Sequence, residues 1–421
     1  MERRWKVNRQ KDKPIITSLL DSDFYKYTMG QESFHRHPTA QVTFSLTNRT
    51  RSVRLADCVD IGRLREELDE VRKLAFTISN IHYLRGTDEY GQRMFREDYL
   101  EHLKALRLGA YDLDVVDGQF HLEFSGPWSV VTYWETLALS ILTELYTEYQ
   151  LSKMSRLEQD AVLARGYTQL LEKVRILKSF PDITLTDFSS RRRAFREWQD
   201  YVVSVLIEEL PGQFRGTSNV LLSDKYGTVP MGTAAHERDM IIAGIMSDTD
   251  EGILRTIQMT LESWWEEYGE ALSVALPDTF GTDAFFRAMT AEQAAKWKGL
   301  RQDSGNPFTF VDKVIAFYKS HGIDPQKKLI VFSDGLEIDK ILAIADYCRG
   351  KIRATFGWGT NLGNDLGLQA LSLVIKATRA NGKPLVKLSD NLAKAIGPKD
   401  EIDRYKRIFG YDVILNEQPK Y

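Results

Sequence analysis

The chain is poor in cysteine. Cys58 and Cys348 are the only two among 421 residues, far apart and outside any Cys-x-x-Cys pattern. Neither a disulfide scaffold nor a cysteine-rich zinc centre is expected, and a reducing, cytoplasmic compartment fits. The chain has no surplus of charge: 56 Lys and Arg stand against 59 Asp and Glu, a net charge of −3. That argues against a general nucleic-acid binder but leaves room for a local basic patch that holds phosphates. Long apolar runs are missing too. The basic N-terminal segment has only the run IITSLL, too short for the apolar centre of a secretory signal. The most apolar stretch, SVVTYWETLALSIL, carries Glu135 in its middle and does not read as a membrane span. There is no Walker A sequence and no His-x-x-x-His cluster, so neither a P-loop nor a simple zinc site is expected.

What is present is a soluble composition, 43% hydrophobic and 27% charged, in a chain longer than one core ordinarily organises, so two domains are expected. Residues 1–130 read as mixed α+β. Asp21, Ser22 and Asp23 are N-cap types ahead of a helix FYKYTMGQESFHRH, and QVTFSLT alternates as a strand. LREELDEVRKLAF and FREDYLEHLKALRL are helical, and VVDGQFHLEFSGPW turns as a hairpin at Asp117-Gly118. Two long helices follow Pro127. From about Ile183, short apolar strands alternate with helices, and the strand ends read ITLTDFSSRR, FRGTSNV, TVPMGTAAHE, LSVALPDTFGTD, WKGLRQDSGNP, KLIVFSDGLE and IRATFGWGTN. Such alternation implies parallel strands. Nearly every strand closes on Gly, Asp, Ser, Thr or Arg, which places a site at the C-terminal ends. A doubly wound sheet is the competing layout. The length of the strand–helix region favours an irregular TIM-like α/β barrel over residues 131–376, with a separate N-terminal α+β domain in 1–130 that the tail 377–421 rejoins.

The stretch Gly216–Glu237, GTSNVLLSDKYGTVPMGTAAHE, organises the rest. It packs two Gly-Thr turns, whose backbone N–H groups can hold an anion, around His236, a residue able to act as base, nucleophile or phosphate acceptor. Read alone, His236 is equally a surface histidine beside a capped helix. Arg191, Arg192 and Arg193 stand at a helix start, against the helix dipole, which suggests a bound polyanion; a solvated basic face is the alternative. Arg301 and Asp303 lie two apart on one strand end and so on one face, where the carboxylate can accept from vicinal sugar hydroxyls or simply pair with the arginine. Asp334-Gly335 and the Gly357, Gly359, Thr360 turn close the last two strands, where barrels hold a phosphate.

In this order GTSNV, VPMGTAAHE, RQDSGNP, FSDG and FGWGTN, together with DFYKYTMG and TDFSSRRRAFREWQ, resemble the nicotinate phosphoribosyltransferase family over most of residues 18–365. The resemblance implies formation of nicotinate mononucleotide from nicotinate and 5-phosphoribosyl 1-diphosphate with Mg²⁺, coupled to ATP hydrolysis through a phosphohistidine. It implies that His236 is that histidine and Asp278 the carboxylate orienting it. Phe188 and Tyr25 match the aromatics on the two faces of the pyridine ring, and Arg191 and Arg301 match groups near the diphosphate and the nicotinate carboxylate. Asp303 matches the ribose-hydroxyl acceptor, and Asp334, Gly335, Gly359 and Thr360 the strand ends around the 5-phosphate. No protein ligand for a metal is singled out. Since the counterpart of Tyr25 comes from a neighbouring subunit in relatives, a homodimer is implied. Ser218 stands where nicotinamide phosphoribosyltransferases tend to hold an acid, which favours nicotinate over the amide. A quinolinate-type enzyme would need no ATP-linked histidine. A non-catalytic nucleotide sensor on the same barrel would not need His236, Asp278, Arg301 and Asp303 together.

Overall fold

The alternation of QVTFSLT becomes β1 (Gln41–Asn48). A two-residue ribbon follows, β2 (Asp88–Glu89) and β3 (Gln92–Arg93), and then the hairpin β4 (Tyr111–Val116) and β5 (Gln119–Pro127). Asp117 and Gly118 take φ of 52° and 75°, the left-handed pair that a two-residue hairpin turn requires. The computed structural model describes residues 13–89 and 91–417, so most of the basic N-terminal segment read for a signal lies outside the described residues.

Six short parallel strands come next: β6 (Leu185–Asp187), β7 (Phe214–Thr217), β8 (Val274–Ala275), β9 (Gly299–Gln302), β10 (Leu329–Phe332) and β11 (Arg353–Trp358). They form one sheet in the order β7-β6-β11-β10-β9-β8, with the intervening helices packed outside, an irregular α/β barrel. Six of the seven expected strand ends are strands. TVPMGTAAHE is the exception: residues 228–235 carry no regular structure and touch β7 through Met231 N–H to Thr217 O at 2.9 Å. Pro230 has no N–H to give a ladder, and Gly232 presses on the backbone at Tyr25, where a Cβ would lie 3.3 Å from nitrogen. The ladder therefore stays unclosed between β7 and β8.

The chain then returns to the first sheet. β12 (Leu373–Ala380) pairs antiparallel with β1, and β13 (Lys383–Pro384) with β12, giving the order β13-β12-β1-β5-β4. β12 begins at Leu373, ahead of the boundary expected after residue 376. The helix Trp134–Ser152, buried along most of its length, lies between the two sheets and packs on β12 and on the turn after β6. Among the described residues no helix is long and apolar enough to cross a membrane.

Candidate active site

Parallel pairing aligns Gln302, Phe332 and Phe356 in one row and Trp358, Asp187 and Thr217 in the next. The residues just beyond, Asp303, Ser333, Asp334, Gly359, Phe188 and Ser218, therefore issue from one rim. Phe188 lies flat against β11: a Cβ on Gly357 would fall 2.2 Å from its ring, so that close approach requires glycine. Asp187 ties the rim together from beneath, accepting from Ser189 N–H, Thr217 Oγ1 and Gln199 Nε2 at 2.9, 2.7 and 2.8 Å.

His236 opens the helix His236–Ile245 and is buried. Its Nε2 lies 3.0 Å from Asp303 Oδ2 and 3.6 Å from Asp278 Oδ1, and its Nδ1 lies 3.0 Å from Thr279 Oγ1. Asp303 is thus the nearer carboxylate, and Thr279 meets the nitrogen that an orienting carboxylate would take. Asp278 accepts from Ser304 through one oxygen, while Oδ1, buried and facing His236, has no hydrogen-bond partner among the described residues. Burial lowers the histidine's pKa, Lys387 adding to it against Asp278 and Asp303. Burial pushes Asp303 the other way, but Arg301, His236 and Lys394 outweigh it and hold the carboxyl well below its usual range. Arg301 pairs with Asp303 Oδ1 at 2.8 Å, donates to Ser333 Oγ and Thr233 Oγ1 at 2.8 and 2.9 Å, and stands 5.9 Å from the Phe188 ring centroid. The salt bridge and the open cleft coexist there.

The three arginines part company. Arg193 is fully buried, bonded to both oxygens of Asp21 at 2.6 and 2.9 Å and to Glu144 at 2.8 Å; it holds the core, not an anion. Ser190–Arg192 is a short 3₁₀ turn, and the helix itself starts at Arg196, so no dipole opposes the triplet. Arg191 and Arg192 do line the cleft. Arg191 Nη1 lies 3.0 Å from Asp23 Oδ2 and donates to Tyr25 Oη at 3.2 Å. Asp23, expected as a helix cap, makes no cap bond; its other oxygen accepts from Ser218 Oγ at 2.5 Å. Ser218 and Tyr25 are buried against these partners and, with Asp278, are absent from the cleft lining that holds Phe188, His236, Asp303, Asp334, Gly335, Gly359 and Thr360. Tyr25 meets Arg191 within its own chain.

The sequence pattern gave no sign of four cations on the opposite wall. Arg49 follows β1, Lys376 lies in β12, and Lys387 and Lys394 come from the tail; all line the same cleft. Lys376 pairs with Glu135 at 2.8 Å and Lys394 with Asp334 Oδ1 at 2.5 Å. Lys387 makes no side-chain hydrogen bond or ion pair among the described residues, and burial lowers its pKa to about 8 even with Asp278 and Asp303 nearby. A basic stripe is visible in the tail, but an irregular segment has no periodicity to say where it docks. His236, Asp278 and Asp303 form a candidate metal-holding group, their ligand atoms all within 4.8 Å of one another.

Comparison with known proteins agrees with this architecture. A model of the nicotinate phosphoribosyltransferase (NAPRTase) family matches residues 183–412, and one of the NAPRTase N-terminal domain matches residues 20–143. Similar solved structures include a nicotinate phosphoribosyltransferase from Porphyromonas gingivalis, 28% identical with a TM-score of 0.83 over 94% of this chain and 100% of that one. Another, from Vibrio cholerae, is 29% identical with a TM-score of 0.84 over 95% of each. With two matching domain models in sequence order and the rim built from its motifs, the chain belongs to the nicotinate phosphoribosyltransferase family.

Proposed function

We propose that this chain is an ATP-coupled nicotinate phosphoribosyltransferase of the cytoplasm. It forms nicotinate mononucleotide and diphosphate from nicotinate and 5-phosphoribosyl 1-diphosphate, in salvage of nicotinate for NAD, and His236 carries the phosphoryl group that links ATP hydrolysis to turnover. The observation that carries the reading is the cleft itself, where seven cationic side chains against three carboxylates surround the Arg301, Asp303 and His236 group.

The chemistry follows from that balance. Breaking the C1–diphosphate bond leaves positive charge on the ribose and negative charge on the leaving group. Arg49, Lys376, Lys387 and Lys394 stand where they stabilise the departing diphosphate, and ionised Asp303 accepts from the ribose hydroxyls while tolerating the developing cation. Gly335, Gly359 and Thr360 offer backbone at the strand ends for the 5-phosphate. Phe188 offers its ring to the pyridine, and Arg191, held by Asp23 and Tyr25, offers a guanidinium to the nicotinate carboxylate. Ser218 acts through Asp23, which sets how much of the Arg191 charge reaches the base. Mg²⁺ fits the group present: oxygen ligands suit it, and the buried Asp278 Oδ1 lacks a partner among the described residues. Asp278 and Asp303 would hold it, and it would supply charge neutralisation for the diphosphate.

The test is product formation from nicotinate and 5-phosphoribosyl 1-diphosphate with Mg²⁺, with and without ATP, and with nicotinamide in parallel. Nicotinate mononucleotide formed faster with ATP, and little product from the amide, is expected. No turnover, or a preference for nicotinamide, overturns the reading.

A further inference from the structure

Lys340 stands in the first turn of the helix Ile338–Cys348, where a cation opposes the helix dipole. It has no carboxylate partner among the described residues. Its ammonium reaches back instead to the turn that closes β10, donating to Asp334 O at 2.8 Å and to Gly335 O at 3.3 Å. The next carbonyl, Leu336 O, accepts from Trp358 Nε1 at 3.0 Å and from Asn361 Nδ2 at 2.9 Å. Three consecutive carbonyls are therefore occupied. Asp334, Gly335 and Leu336 line the cleft and Lys340 does not; it grips the turn from behind.

A trans peptide is planar and sets each N–H opposite the carbonyl before it. By drawing Asp334 O and Gly335 O to one side, Lys340 turns the N–H groups of Gly335 and Leu336 to the other, towards the cleft. Neither N–H has a hydrogen-bond partner among the described residues. Gly335 takes φ of 54°, the left-handed conformation in which successive N–H groups converge as a nest for an anion. We infer that Lys340 is a positioning residue for the ribose 5-phosphate: it does not touch the phosphate, but it aims the two N–H groups that do. Without it both carbonyls are free to swing, and their peptides with them. Trp358 and Asn361 extend the same device. By sharing Leu336 O they tie this turn to the Gly359–Thr360 turn after β11, so the two strand ends offered to the phosphate move as one.

The inference rests on the 5-phosphoribosyl substrate proposed above, so the test reads binding apart from turnover. Ribose 5-phosphate is titrated into the full chain by calorimetry, alongside steady-state kinetics with nicotinate. A turn that is competent for only about a tenth of the time binds roughly tenfold more weakly. Lys340→Met should lose about that factor for ribose 5-phosphate and raise KM for 5-phosphoribosyl 1-diphosphate to match. The kcat and the KM for nicotinate should stay as they are, because the phosphate is held equally in the ground and transition states. Lys340→Arg keeps a cation with several donors and should restore most of the affinity. Trp358→Phe deletes one donor to Leu336 O with Lys340 in place, and should weaken ribose 5-phosphate by a smaller factor. Native affinity in Lys340→Met overturns the inference, as does a loss spread equally over ribose 5-phosphate and nicotinate. A native protein that does not bind ribose 5-phosphate overturns it too. The expected split in binding, with no turnover of nicotinate, leaves Lys340 in its role and removes the proposed reaction.

Discussion

Lys387→Met should make the protein more stable and a worse enzyme. Lys387 is 5% exposed, without a hydrogen bond or ion pair for its ammonium among the described residues, and its pKa falls from the ordinary 10.5 to about 8. The fall is net of the attraction of Asp278 and Asp303, so burial costs more than those charges return. A depression of about 2.5 units corresponds to ~3 kcal/mol. The sign follows from proton binding. Below about pH 8 the lysine is charged in both states and the native state bears the full cost. Between about pH 8 and 10.5 the unfolded chain binds the proton and the native state does not, so stability rises with pH there. Methionine fills similar volume without the charge, so the variant should gain up to ~3 kcal/mol near neutral pH, the gain vanishing by about pH 10.5. Its loss is a charge-assisted contact to the diphosphate, about 1.5–3 kcal/mol, or roughly 10–100-fold in KM for 5-phosphoribosyl 1-diphosphate. Denaturant unfolding of the two proteins across pH reads the first effect and steady-state kinetics the second. Diphosphate binding near pH 8 should also take up a proton in the native protein only, measurable by calorimetry in buffers of different ionisation enthalpy. A variant less stable at neutral pH, or one with unchanged KM, refutes the reasoning.

Asp303→Ala should fold and lose about 10²–10³ in kcat; near-native kcat/KM in a folded variant removes Asp303 from the chemistry. Ser218→Asp would set a second carboxylate against Asp23, 2.5 Å from the present hydroxyl, and draw on Arg191. Nicotinate kcat/KM should drop about tenfold or more by like-charge repulsion, and an unchanged value would detach Ser218 from base selection. His236→Asn should lose acid-labile, alkali-stable labelling from ATP and lose ATP stimulation together, with some ATP-independent product remaining; label on a peptide other than the one containing His236 contradicts the phosphohistidine.

Local pattern explains what could be read from the chain. The helices around Leu64–Val71 and Ile253–Leu261 carry apolar residues three and four apart, the hairpin at Asp117-Gly118 needs only neighbouring residues, and six strand ends show as short apolar runs before polar turns. Strand ends are also where Phe188, Arg301, Asp303, Asp334 and Gly359 sit, so the rim is nearly a sequence feature. Partners distant in sequence are not. The RRR triplet gives no sign that Arg193 reaches Asp21 across 172 residues, or that Asp23 gives up its cap for Ser218 across 195. TVPMGTAAHE reads as a strand by its apolar positions, while Pro230 withholds the N–H that would make it one.

The cleft also shows why net charge is a poor guide to a phosphate site. The chain carries −3 overall, yet the cleft lining holds seven cations to three carboxylates. Each of the three carboxylates is committed: Asp303 to Arg301, Asp334 to Lys394, Glu135 to Lys376. Those pairs fix the direction of three long side chains that would otherwise lose rotamer freedom on binding a ligand, and burial strengthens them relative to surface pairs. Lys387 is left without a carboxylate of its own. A polyanion entering the cleft therefore meets oriented donors plus one ammonium that is unfavourable until a ligand arrives. Long-range attraction depends on the total charge, whereas holding a diphosphate depends on the local surplus inside low-dielectric walls, and this chain draws that surplus from β1, β12, the tail and the barrel rim together.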